Sequence, residues 1–556
     1  MAEVDTGQKK ATPAAEAAQP MKLGKYLKDQ GINGPPYRLV VGNIMDEARL
    51  KNESELRPMD LSHAIVPRVI PFLHQTFKSY VNSLDHSEIK ANLDLPCSMH
   101  KSSFFSFFTD AFVSVSSMEE LKLYKDLQIT GRISMTWFGA SPRVSIMDPE
   151  LIREVLTDKS GHFEKTKLSP VFKVLVTGLV NLDGEKWAKH RRIINPAFHQ
   201  EKLKRMLPAF HASCCELISR WEESVGSEGS CELDVWPEFQ DFTGDVISRT
   251  AFGSSYKKGM RILQLQTEQA QLISHSVKSI FIPGYRFLPV KVNNRRNEIN
   301  KEVCSLLRGM IKEREREMKM ENVGNNDLLG LLMESNFRDS QEQGNSDAAA
   351  MTIEEVIGEC KLFYFAGQET TAVLLTWTII VLSMHRNWQL QAREEVLQVF
   401  GENKPDFDGL NHLKTVTMIL YEVLRLYPPV VYTARSVDKP TKLGDITLPP
   451  GAQVSLPTLL IHHDPEIWGE DVDEFKPERF SEGVAKASKN QIVFFPFSWG
   501  PRICIGQNFA LLEAKMALAM ILQHFSFELS PSYAHAPCTV ITLQPQHGAQ
   551  IILHRL

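Results

Sequence analysis

The chain has 556 residues, 43% of them hydrophobic and 23% charged, with a formal net charge of -5. That is ample apolar material for a large core, and the charge balance argues against general nucleic-acid binding, which needs a cationic surface. Its eight cysteines are scattered without the spacing of a disulfide framework or a zinc site, which suits a reducing compartment.

Residues 1–20 are rich in Ala, Lys, Glu and Gln and lack the apolar core of a signal peptide, so a disordered tail without a spanning anchor is expected. An amphipathic helix starts at Met21 and ends near Gly31, and residues 61–80 read as a helix interrupted by Pro67 and Pro71. Residues 81–130 show no sustained period. A polar half is followed by the cluster Phe104, Phe105, Phe107, Phe108 and Phe112, and a stretch of this length predicts a poorly ordered insertion. Two β-like runs, 133–138 and 143–147, flank Gly139-Ala140-Ser141-Pro142 and predict a hairpin. From Asp148 the pattern is mostly helical, with helices over 149–158, from Gly184 to Arg192 and over 297–320, then a polar linker over 337–350. Thr352-Ile353-Glu354-Glu355 is a capping box for a helix running through Ala366. Pro428-Pro429 ends the helix that carries Glu422, and a β-like segment over 430–437 follows.

Ala366-Gly367-Gln368-Glu369-Thr370-Thr371 lies in a helix expected to be almost wholly buried, where a glycine, an acid and two threonines are costly. A mid-helix Thr can bond back to the carbonyl four residues earlier and a Gly lets a helix open, so a pocket for O2 or water can form there. Glu422 and Arg425, at i and i+3, taken alone are an ordinary surface pair worth a few tenths of a kcal/mol. Near the C-terminus, Phe497-Ser498-Trp499-Gly500-Pro501-Arg502-Ile503-Cys504-Ile505-Gly506 precedes an apolar helical run. Two glycines bracket one cysteine beside a helix N-terminus, a setting expected to favour thiolate over thiol. One strong ligand without zinc-spaced companions suits heme iron, whose porphyrin supplies the equatorial bonds.

Phe497, Gly500, Arg502, Cys504 and Gly506 match every fixed position of F-x-x-G-x-R-x-C-x-G, so the chain resembles the cytochrome P450 superfamily. Trp137-Phe138-Gly139, Met147-Asp148-Pro149-Glu150 and Asn195-Pro196-Ala197-Phe198 are most similar to plant P450 family 72, subfamily A. The resemblance implies a cytochrome P450 fold: one mainly α domain with a small β region over residues 21–556. It implies heme b (iron protoporphyrin IX) bound through Cys504, and electrons from NADPH delivered by the flavoprotein NADPH-cytochrome P450 reductase. The substrate would be a hydrophobic, terpenoid-like small molecule, and the location the cytosolic face of the endoplasmic reticulum membrane.

By the same resemblance Thr370 orders a proton relay and Glu369 is the adjacent acid. Trp187, Arg191, Arg435 and Arg502 meet the heme propionates. Glu422, Arg425 and Arg479, the last in Pro477-Glu478-Arg479-Phe480, form a buried set that fixes the cysteine loop. Leu362, Phe363, Ala366, Val430, Val431, Tyr432 and Thr433 are candidates for the substrate pocket, each equally open to plain packing. Residues 280–289 suggest an apolar loop at the substrate entrance that touches a membrane surface. Lys186, Lys189, Arg191, Arg192, Lys202, Lys204 and Arg205 read either as a solvated helix face or as a landing surface for the acidic reductase. The insertion and the missing anchor depart from the family pattern, so a heme-binding but inactive or misfolded variant is the alternative reading.

Overall fold

The computed structural model describes residues 13–39, 41–80, 132–253, 256–276, 285–320, 327–341, 351–488 and 491–556; the expected insertion over 81–130 lies outside them, as does the first half, 280–284, of the expected entrance loop over 280–289. One helix, Ile353–Met384, organises the remainder. It starts at the expected capping box: Thr352 Oγ1 accepts from Glu355 N–H at 3.2 Å, and the Glu355 carboxylate accepts from Thr352 N–H at 2.9 Å. Almost every residue from Val356 to Ser383 is buried, so it is a core helix, although it is the one described helix long and apolar enough to cross a membrane. The helix Val235–Phe252 packs along it. A Cβ on Gly367 would lie 2.8 Å from the Ile247 side chain. Gly367 therefore permits close helix crossing; it does not open the helix, which runs unbroken through this point.

The helices Gly184–Ile194, Gln200–Val225, Lys414–Leu426 and Gln507–His524 complete the helical body around this axis. A five-stranded sheet has the order Ile133–Phe138, Ser141–Ile146, Gln453–Leu456, Thr433–Ser436, Glu164–Lys165, with one parallel pair between the second and third strands. Its first two strands form the expected hairpin, turning at Gly139 with φ +60°. A three-stranded sheet and two two-stranded ribbons make up the rest of a minor β component, so the fold is mainly α with a small β region.

Two expectations are corrected. Residues 13–20 are not disordered but belong to the helix Pro13–Lys28. The run is rich in Ala, the strongest helix former, and starts with Pro at the first helical position, where its missing N–H costs nothing. The expected linker over 337–350 is helical through Gln341, as part of Leu328–Gln341.

Candidate active site

The cysteine loop is held in an unusual backbone shape. Cys504 N–H donates to the Phe497 carbonyl at 2.8 Å, and Ser498, at φ 62°, is the only described non-glycine residue with positive φ. Gly500 sits at φ +70°, and a Cβ there would lie 2.3 Å from the Leu156 carbonyl oxygen, so only glycine fits. Gly506 differs from the expectation of a tight turn. Its φ is -90°, and a Cβ would approach no nearer than 4.0 Å to Cys504 Sγ and Phe198. What it contributes is its N–H, which points at the sulfur.

Cys504 is exposed as a residue, although surrounding protein desolvates its sulfur. Desolvation pushes its thiol above the usual range, and the Gly506 N–H and the Arg191 charge pull it only part of the way back. Burial of the sulfur thus works against the pre-formed thiolate expected from the sequence. A metal cation at the sulfur would complete the deprotonation.

Around the loop lies an excess of positive charge. Arg191 reaches from the helix Gly184–Ile194 to the Ile503 carbonyl at 2.9 Å. Arg502 donates to the Leu182 carbonyl at 2.7 Å, pairs with Asp183, and lies 4.2 Å above the Trp187 ring. Arg435 is only 2% exposed, yet among the described residues its one side-chain hydrogen bond is to the neighbouring Ala434 carbonyl at 3.0 Å. Across the strand from it stands Lys165, a residue the sequence reading overlooked. Burial, then Arg435 and Arg502, push Lys165 down to about 7, and Arg435 falls to about 10 by burial and then by Arg502. Three basic side chains, Lys165, Arg435 and Arg502, thus gather beside Asp183, with Glu164 acting on Arg502 as well, so basic groups outnumber the acidic ones. Heme carries two propionates, so the residues present fit that group in both its iron ligand and its charge.

The central helix turns one stripe toward accessible space. Within its buried stretch from Val356 to Ser383 the partly accessible residues are Leu362, Phe365, Ala366, Gly367 and Thr370, and all but Gly367 stand at i, i+3, i+4 and i+8. Thr370 Oγ1 donates back to the Ala366 carbonyl at 2.8 Å. Phe363 is not on this stripe; it is buried and stacks on Phe198 with centroids 5.5 Å apart, which corrects its assignment to the pocket and puts Phe365 in its place. Val431 is buried, Val430 and Tyr432 are exposed, and Thr433 opens a strand of the main sheet with a buried hydroxyl that has no hydrogen-bond partner.

Glu369 faces away from the stripe. One carboxylate oxygen accepts from Thr542 Oγ1 at 2.7 Å and from Gln544 Nε2, and the other from Gln240 Nε2 at 3.4 Å. Burial pushes its pKa up while these donors hold it down.

Glu422 and Arg425 are fully buried, with a bidentate pair at 2.8 and 2.7 Å. Arg425 also donates to the carbonyls of His462 at 2.9 Å and Val472 at 2.8 Å. Arg479 lies 3.4 Å from Glu422 and pairs with Asp471 at 2.8 Å. A second buried pair escaped the sequence reading. His190 Nδ1 lies 2.6 Å from Glu359, whose other oxygen accepts from Leu179 N–H at 3.1 Å, tying the helix that bears Trp187 and Arg191 to the central helix.

An exposed cysteine in a loop shaped by Gly500, with Arg191 and Arg502 beside it, has the ligand and the charge of a heme-thiolate site. A cytochrome P450 family profile matches residues 105–551, and the chain belongs to the cytochrome P450 family. Cytochrome P450 CYP72A616 of Paris polyphylla is 56% identical over 97% of this chain and 94% of its own length. Cytochrome P450 72A15 of Arabidopsis thaliana is 50% identical over 97% and 94%, and secologanin synthase 2 of Catharanthus roseus 47% identical over 97% and 93%. The chain is thus a P450 monooxygenase similar to plant proteins of family 72, subfamily A.

Proposed function

We propose that this monooxygenase holds heme b through Cys504 and takes electrons from NADPH by way of NADPH-cytochrome P450 reductase to oxidise a hydrophobic, terpenoid-like small molecule. The observation that carries the heme assignment is the buried basic cluster of Lys165, Arg435 and Arg502 beside the Cys504 loop, in which Arg435 has no carboxylate of its own within hydrogen-bond reach among the described residues. When bound, heme supplies activation of O2 and insertion of one oxygen atom into the substrate.

The chain's own residues do the rest. Arg435, Lys165 and Arg502 neutralise the propionates, with Trp187 and Arg191 bracing the loop from the next helix. The Gly506 N–H and Arg191 moderate the charge on sulfur. Thr370 donates its proton to the Ala366 carbonyl, which leaves its oxygen free to accept from water and so to order protons on the accessible stripe. Leu362, Phe365 and Ala366 give that stripe an apolar character suited to a hydrophobic substrate. The terpenoid class is supported by the likeness to a protein named secologanin synthase 2.

Attachment to the cytosolic face of the endoplasmic reticulum is supported by the apolar residues Phe287 and Leu288, 75% and 50% exposed just before the helix Lys291–Lys319. On the basic face, Lys186 is paired with Glu355 at 2.6 Å and Lys204 lies over Phe407, while Arg192 is exposed and available to an acidic partner. On sequence grounds 81–130 is a dispensable insertion whose deletion should raise soluble yield and heme content; loss of heme on deletion would show it to be integral. The decisive test is the reduced, CO-bound absorption spectrum of the expressed chain. A red-shifted thiolate band that disappears in Cys504→His supports the reading, and an unchanged band in that variant overturns the ligand assignment.

A further inference from the structure

Glu359 is fully buried on the central helix, and each of its carboxylate oxygens has a donor from a different segment of the chain. One oxygen accepts from His190 Nδ1 at 2.6 Å, and the other from Leu179 N–H at 3.1 Å. His190 is itself 1% exposed, and its Nε2 stands 3.8 Å from Glu355, too far for a hydrogen bond, so Glu359 is its one hydrogen-bond partner among the described residues. A Cβ on Gly178 would lie 2.6 Å from the second oxygen, so the chain approaches the carboxylate as closely as glycine allows.

The two donors lie on the two segments that reach the cysteine loop. His190 is followed by Arg191, which donates to the Ile503 carbonyl at 2.9 Å and whose charge acts on Cys504. Leu179 belongs to the turn Gly178–Asn181, which leads directly into Leu182 and Asp183, the acceptors of Arg502. Asp183 also accepts from Lys165 N–H at 3.0 Å, so the same stretch carries the basic cluster. Arg502 and Ile503 are the two residues immediately before Cys504. Both braces of the loop therefore trace back to one carboxylate. A buried carboxylate is costly unless its donors are in place, and hydrogen bonds to a charged acceptor are roughly twice as strong as neutral ones, so this acid fixes where both segments sit.

We propose that Glu359 is a positioning residue for the iron ligand: one oxygen holds the helix Gly184–Ile194 through His190 and the other holds the turn Gly178–Asn181, so that Arg191 and Arg502 close on the cysteine loop from fixed points. This deepens the heme-thiolate reading and rests on it. The hydrogen bonds of Glu359 reach neither the loop nor the Thr370 stripe, so it acts through Arg191 and Asp183 alone.

The test uses the full chain loaded with heme and the variants Glu359→Gln, His190→Leu and His190→Asn. The glutamine keeps an acceptor for one donor and turns an N–H toward the other, the leucine removes one arm, and the asparagine places an amide N–H where Nδ1–H stood. The rate at which the reduced-CO thiolate band is lost in dilute urea reads retention of the ligand, amide hydrogen exchange across 499–506 reads the loop, and the urea midpoint of helical circular dichroism reads global stability. Glu359→Gln and His190→Leu are expected to lose the band about tenfold faster or more at urea concentrations below their own unfolding transitions, and to speed exchange across the loop by a similar factor. His190→Asn should stay within about threefold of the parent in both. Unchanged band lifetimes in Glu359→Gln and His190→Leu overturn the proposal. So does a faster loss that only follows a lower circular dichroism midpoint, with exchange in the loop sped no more than in the strand Gln550–Arg555, because the pair would then be a packing contact. A parent lacking the thiolate band would instead sink the heme-thiolate reading, while exchange across 499–506 in the same variants still tests the hold of Glu359 on the loop.

Discussion

A methyl group at Gly500 would meet the Leu156 carbonyl at 2.3 Å from a backbone already at φ +70°. Gly500→Ala is expected to destabilise the protein by about 2–5 kcal/mol, from the left-handed backbone cost plus overpacking, and to lower heme content; denaturant unfolding and heme quantification check both. Gly506→Ala makes the contrast, since its φ of -90° accepts a side chain: stability should hold while the spectrum shifts, as the new methyl lies 4.0 Å from Cys504 Sγ. Thr370→Ala should cut product per NADPH by about tenfold while NADPH oxidation continues and peroxide accumulates, the signature of proton delivery rather than packing. Unaltered coupling would leave Thr370 with its helix bond to Ala366 alone. At this scale the cysteine loop was legible because its ten residues act on one another. Lys165 and the orientation of Glu369 were not, because Arg435 and Thr542 come to them from distant parts of the chain.

Among whole elements, local sequence was a good guide where the determinant is local. The capping box at Thr352 and the turn at Gly139 were found where expected. It was a poor guide to Glu422 and Arg425, which at i and i+3 look like a solvated pair and become fully buried only because the segments carrying His462 and Val472 cover them. Burial changes the energetics. Removing one partner, as in Arg425→Met, strips the buried Glu422 carboxylate of its bidentate partner and leaves it only Arg479 at 3.4 Å and the Lys476 N–H at 3.0 Å; this should cost about 3–5 kcal/mol, whereas adding Glu422→Met should recover part of that loss. Urea unfolding of the two single variants and the double reads this directly, and strict additivity would show that the two side chains stabilise the fold independently. Phe363 was misplaced for a related reason: both helix faces are apolar, so periodicity alone could not say which one meets the cleft and which meets Phe198.

For the molecule as a whole, the excess of basic groups beside Cys504 makes heme part of the folding balance. Lys165 falls from its ordinary 10.5 to about 7 through burial first and the Arg435 and Arg502 charges second, with Asp183 opposing. Between those two values the unfolded chain carries a proton that the heme-stripped native protein has lost. Unfolding then takes up a proton, so this group raises native stability as pH climbs from about 7 toward 9, and below about 7 it imposes its full cost. The limiting slope for one group is about 1.4 kcal/mol per pH unit, and the partial accessibility of Lys165 lowers it. Lys165→Gln should therefore flatten the rise in urea midpoint between pH 7 and pH 9 that the heme-stripped parent shows. With heme bound, the propionates lift Lys165 back toward its ordinary value, and the same substitution should change that slope far less while speeding heme transfer to a second apoprotein. Parallel pH curves for parent and variant in the heme-stripped state would mean that Lys165 is solvated rather than buried among cations, and the charge argument would then rest on Arg435 and Arg502 alone.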